Sequence, residues 1–97
     1  MPFRFSYKSA FLKKFQSLSS KDQALVTGTL ESVKRYFKIN EATFGLRIKK
    51  LYERDYRQVF EARVSSNIRV VWILKKEDVV FTLIGNHEDV RRFIKNL

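Results

Sequence analysis

An α+β domain is the fold class that this chain predicts, from three observations. The apolar spacing begins at two residues and then changes to three or four. It returns to two for four successive stretches between residues 46 and 83. A last helical stripe then follows an asparagine. Sequential strands joined by short turns imply an antiparallel meander, and helices must bury their stripes against it. The expectation is one domain, residues 1–97. It has an N-terminal strand and a helical hairpin packed on a mostly antiparallel sheet, closed by a short C-terminal helix.

Each element has its own signature. Phe3, Phe5 and Tyr7 alternate with Arg4 and Ser6, as in a short strand. Tyr7, Ala10, Phe11, Phe15 and Leu18 fall at helical spacing. Ser19-Ser20 interrupts, and Ser20-Lys21-Asp22-Gln23 reads as a capping box. Val26, Leu30, Val33 and Phe37 form the stripe of a second helix, completing a hairpin. Asn40 to Gly45 reads as a loop. Leu46, Ile48 and Leu51 mark one strand, with Arg47, Lys49 and Lys50 interleaved. Tyr56, Gln58, Phe60, Ala62 and Val64 mark the next, with Arg57, Glu61 and Arg63 on its other face. Ile68, Val70, Trp72 and Leu74 mark a third, and Val79, Phe81 and Leu83 a fourth. Asn86 caps a final helix whose apolar stripe is Val90, Phe93, Ile94 and Leu97.

Composition narrows the function classes. A 44% hydrophobic content with fourteen aromatics supports a packed interior. The net charge of +10 draws the protein to polyanions: nucleic acid, an acidic partner or an anionic membrane surface. With no cysteine and one histidine, disulfides, thiolate zinc sites and multi-histidine metal sites are excluded. The acids are scattered or adjacent, and no calcium or magnesium loop is legible. An enzyme of this composition is expected to work without metal or other cofactor. No apolar run approaches the roughly eighteen residues of a membrane span, and the basic, aromatic N-terminus lacks a signal-peptide core. The expected location is the cytoplasm.

Sheet geometry assembles a candidate site. Even-numbered positions are apolar on both strands flanking Ser65-Ser66-Asn67, so even must pair with even across that three-residue loop. Val64 then opposes Ile68, Ala62 opposes Val70, and Arg63 opposes Arg69, with Glu61 diagonal to Arg69. Two facing arginines repel unless an anion sits between them, and either Glu61 or a phosphate meets that need. With Lys76-Glu77 as the next turn, Ile84 is expected opposite Arg69, and His87, three residues on, reaches the same end of the sheet. Arg63, Arg69, Glu61 and His87 form one constellation away from the even-numbered core. A surface ion pair and an exposed first-turn histidine are the plainer readings of the same residues. Arg47, Lys49 and Lys50, with Arg54 and Arg57, read either as an edge strand kept soluble by charge or as a phosphate-tracking stripe.

That constellation matches a metal-free reaction. RNA cleavage by internal attack must deprotonate a 2′-OH, hold the phosphorane charge and protonate the leaving 5′-oxygen. Arginines supply the middle requirement. A histidine, with an ordinary pKa of about 6.5, exchanges protons near neutrality. A carboxylate such as Glu61 is a candidate base.

At this point the chain resembles the RelE/ParE superfamily of toxin–antitoxin toxins. The resemblance spans nearly the whole chain. It is carried by the element order, by Lys49-Lys50-Leu51, and by Val59-Phe60-Glu61-Ala62-Arg63-Val64. Asn67-Ile68-Arg69-Val70-Val71-Trp72 and Ile84-Gly85-Asn86-His87-Glu88-Asp89-Val90 complete it. The RelE branch implies a ribosome-dependent endoribonuclease that cuts mRNA. Arg69 matches the family's strand arginine at the scissile phosphate, and Arg63 a basic position that stabilises it. Lys49 and Lys50 fall in a strand that meets RNA. His87 lies where several branches carry a residue for proton transfer or stacking. The resemblance also implies an acidic cognate antitoxin. Glu61 stands where the RelE type carries lysine, and no tyrosine follows His87. Two rival readings remain: a ParE-like gyrase inhibitor or catalytically silent relative, and a general nucleic-acid-binding module.

Overall fold

The computed structural model describes residues 2–40 and 47–97. The order is β1 (Arg4–Tyr7), α1 (Ser9–Ser17), α2 (Ser20–Ile39), β2 (Ile48–Arg54), β3 (Arg57–Arg63), β4 (Arg69–Lys75), β5 (Asp78–Gly85) and α3 (His87–Lys95). This is the expected α+β arrangement. Leu46, and the loop expected after Asn40 as far as Gly45, lie outside the described residues. Asn40 itself ends α2 in the left-handed conformation that asparagine tolerates.

The five strands form one sheet in the order β1-β5-β4-β3-β2. β2 to β5 are an antiparallel meander, and β1 pairs with β5 in parallel. β1 and β2 therefore sit at opposite edges, and α1 and α2 carry the chain from one to the other over one face. Beneath them lies the main core: Phe11 from α1, Val26, Leu30 and Val33 from α2, and Ala62, Val70, Trp72, Val79, Phe81 and Ile84 from the sheet. Trp72 is fully buried at its centre, stacked on Phe60 with ring centroids 5.9 Å apart and edge-on to Phe37 at 6.3 Å. On the other face α3 covers a smaller cluster of Val59, Val71 and Val90, with Leu51, Ile73, Leu83, Phe93 and Ile94 packed around it.

Three details differ from the sequence expectation. The cap of α2 is Ser19, whose hydroxyl accepts from the Asp22 amide at 3.1 Å, one residue before the expected Ser20. Adjacent serines offer the chain both choices, and α2 starts with the earlier one. Ala10 is exposed rather than on the buried stripe. The largest difference is in β5, where the register shifts at Thr82: Trp72 pairs with Phe81, but Val71 pairs with Leu83. The Thr82 hydroxyl donates to the Val80 carbonyl at 2.9 Å. One extra residue reverses the facing of everything after it. Leu83 consequently turns to the α3 side and Ile84 enters the main core. Gly85, not Ile84, stands opposite Arg69.

The edge strand β1 is tied down electrostatically. Arg4 Nε donates to Asp78 Oδ1 at 2.8 Å, and Arg4 Nη1 lies 3.8 Å from Glu77. The hydrogen bond from Arg4, reinforced by its charge, holds the Asp78 carboxyl below the usual carboxylate range. A carboxyl lowered in the folded state stabilises above its unfolded pKa, and that contribution is lost as pH falls through the lower folded value. Acidification below about pH 4 should therefore loosen β1 first. Faster amide exchange of β1 in that range, absent from the pH response of Asp78→Asn, is the expected result. An unchanged pH response in the variant would count against this tie.

Candidate active site

The register places Arg63 directly opposite Arg69, as the loop parity requires. Arg69 Nε lies 3.7 Å from Glu61 Oε2, and the two side chains are only 12% and 15% exposed. This is an electrostatic contact too long for a hydrogen bond, and Arg69 Nε has no hydrogen-bond partner among the described residues. Burial of Nε without a hydrogen bond carries a desolvation cost, which the nearby Glu61 charge offsets in part. Arg63 is exposed and forms no ion pair with a described residue.

His87 is the first residue of α3, and a local device sets its place. Asn86 caps the helix: its side chain accepts from the Asp89 amide at 2.9 Å, while Asp89 Oδ2 accepts from the Asn86 amide at 2.9 Å. Gly85 allows this box to sit flat on the sheet. A Cβ at Gly85 would lie 2.6 Å from the Asp89 Cβ. Since Gly85 pairs with Arg69, the absence of a side chain lets the start of α3, and so His87, approach Arg69. Gly85→Ala should destabilise the protein by about 1–3 kcal/mol through this clash, read by urea unfolding. A change under about 0.5 kcal/mol, the range of neutral surface substitutions, would reject that role.

Together these elements enclose an open groove of about 700 Å³ between α3 and the strands. Lys49, Glu61, Arg63, Arg69 and His87 all line it, together with Glu88, Arg91, Arg92 and Lys95 of α3. Six cations face two carboxylates, so the groove is electropositive. Val90 is buried, Leu51 and Ile94 are half-buried, and these three supply the apolar part of the lining.

The basic residues of β2 and β3 divide. Lys49 pairs with Glu61 in register and faces the groove. Lys50 pairs with Phe60, whose side chain packs in the core under α1 and α2, and it binds Glu53 at 2.8 Å. Arg47 is exposed just ahead of β2 and is not part of the groove lining. Arg54 and Arg57 pair across the far hairpin and line a separate pocket with Asn96 and Leu97. Arg57 is six residues from Arg63 along β3, roughly 20 Å at strand rise. Sequence reasoning overlooked Arg91 and Lys95, although both follow His87 at helical spacing.

No family model and no curated protein matches the chain by sequence. Solved structures do match its shape. The archaeal RelE of the RelE–RelB complex from Pyrococcus horikoshii superposes with a TM-score of 0.68 at 15% identity, over 89% of this chain and 96% of that one. The fold is that of the RelE toxins. YoeB from Staphylococcus aureus, solved as a dimer, gives 0.65 at 11% identity, covering 90% and 99%. YafQ from Escherichia coli gives 0.60 at 13% identity, covering 91% and 97%. The RelE fold is thus matched almost end to end. Two of these relatives were solved with partners, RelE with RelB and YafQ with DinJ.

Proposed function

We propose that this protein is the toxin of a type II toxin–antitoxin pair and a metal-independent endoribonuclease that cuts mRNA on the ribosome. The observation that carries this reading is the facing pair Arg63 and Arg69 at the groove to which His87 belongs, on a RelE fold. The arginines hold the non-bridging oxygens of the scissile phosphate and the charge that grows on them. Glu61 takes the proton of the adjacent 2′-OH as that oxygen attacks phosphorus. His87, protonated, gives its proton to the departing 5′-oxygen. The products are a 2′,3′-cyclic phosphate and a 5′-hydroxyl. The Glu61–Arg69 contact gives the carboxylate a second role, orienting Arg69 before substrate arrives. The electropositive groove suits an acidic antitoxin as partner, in keeping with the complexes known for RelE and YafQ. The ribosome as target places the protein in the cytoplasm.

Inducible expression with mapping of a chosen transcript tests the reading. Growth arrest with ribosome-dependent cuts ending in cyclic phosphate is the expected result. Arrest with intact transcripts would refute the nuclease and direct attention to gyrase or another target. Soluble protein without arrest would refute the toxin.

A further inference from the structure

Seven residues of α3 line the groove, and three of them share a regular spacing. His87, Arg91 and Lys95 are four apart and all line it. At 1.5 Å per residue they stand about 6 Å apart along the helix axis, close to the step between successive phosphates of an extended single strand. Lys49 of β2 lines the same groove, and Leu51 and Ile94 supply part of its apolar lining. Lys49 and Lys95 make no ion pair with a described residue. Arg91 binds Glu88 at 3.1 Å, but both side chains are mostly exposed, and a phosphate competes readily with such a pair.

We propose that α3 and β2 form a strand-tracking subsite that takes the nucleotides on one side of the cut. It rests on the nuclease reading for its direction. The phosphate at the cut lies by Arg69 and His87, and the strand runs from there towards the C-terminal end of α3. Arg91 and then Lys95 hold the following phosphates, and Lys49 closes the groove from the opposite rim. The apolar lining receives the face of a base, a contact indifferent to sequence. Arg91, Lys95 and Lys49 are positioning residues: Arg91 and Lys95 lie along α3 beyond His87, and Lys49 stands opposite Glu61 on the neighbouring strand. The ligand is single-stranded: His87, Arg91 and Lys95 form one row on α3, spaced for one backbone, and Arg92 beside them is held by Asp89.

The test is binding of a 2′-O-methyl oligoribonucleotide, which has no 2′-OH to attack, across a salt series. Lys95→Ala and Lys49→Ala should each weaken binding about three- to tenfold at moderate salt and flatten the log–log salt slope by about 0.7, the value for one phosphate contact on a single strand. Lys21→Ala, an exposed lysine on the opposite side of the sheet, should leave slope and affinity unchanged. Matching thermal unfolding of the variants excludes misfolding. A wild-type slope in Lys95→Ala, or an equal loss in Lys21→Ala, would overturn the subsite, as would failure of the wild type to bind at all. Cleavage of unmodified message on ribosomes, run in parallel, separates the two readings. Cleavage by the wild type with no effect of Lys95→Ala on oligonucleotide binding removes the subsite alone. A slope that depends on Lys95 without cleavage removes the nuclease alone.

Discussion

Arg69→Ala is expected to lower single-turnover cleavage by about 100- to 1,000-fold while leaving a folded protein. Arg69 is the centre of the site. It faces Arg63 on one neighbouring strand and Gly85 on the other, and it contacts Glu61. Its buried Nε has no hydrogen-bond partner among the described residues, and in the proposed mechanism the guanidinium is the group that meets the scissile phosphate. Arg69→Lys keeps a charge but loses the planar two-donor fork, and it should recover only part of the rate. Arg69→Ala also strips Glu61 of its cation, so thermal unfolding must accompany the rate measurement. A folded Arg69→Ala protein that cuts within about threefold of wild type would remove Arg69, and with it this mechanism.

Trp72→Ala should cost about 3–5 kcal/mol, a large share of the roughly 5–15 kcal/mol that holds a typical domain together. The indole is fully buried and packs on Phe60, Phe37 and Phe81, so no neighbour fills the space unaided. Its Nε1 has no partner among the described residues. Trp72→Phe removes that unmet donor while keeping an aromatic face, and should be considerably milder than alanine. Urea unfolding of both variants decides the matter. A loss below about 1.5 kcal/mol in Trp72→Ala, the level of a tolerated volume-conserving core swap, would mean that the core repacks around the gap.

The heart of the site was legible because parity determines it. Apolar residues at even positions on both sides of a three-residue loop force Arg63 against Arg69, and the structure has that pair. The next step failed by one residue. Val79, Phe81 and Leu83 alternate without a break, yet the sheet inserts Thr82 so that Ile84 can join the main core and Leu83 the α3 cluster. Nothing local in the alternation signals this, because the demand comes from two cores on opposite faces. His87 still reaches the groove, since Gly85 and the Asn86 cap fix its approach. Lys49 and Lys50 look equivalent in sequence, and strand alternation sends only Lys49 to the groove. Arg91 and Lys95 are not legible as groove residues from the apolar stripe of the last helix alone, because which side of that helix borders the groove depends on how it lies on the sheet.

The parallel pairing of β1 with β5 also bears on when this molecule becomes complete. Arg4 meets Asp78 across 74 positions of chain. The helices make their backbone hydrogen bonds locally, whereas the first strand has no edge to join until the final strand exists. Pairings of such long sequence separation are slow, because the entropy of closing the loop is lost before any contact compensates. Arg63, Arg69 and His87 lie on or beside the strands that close last in chain order. A growing polypeptide therefore carries the parts of the groove well before it carries the groove itself.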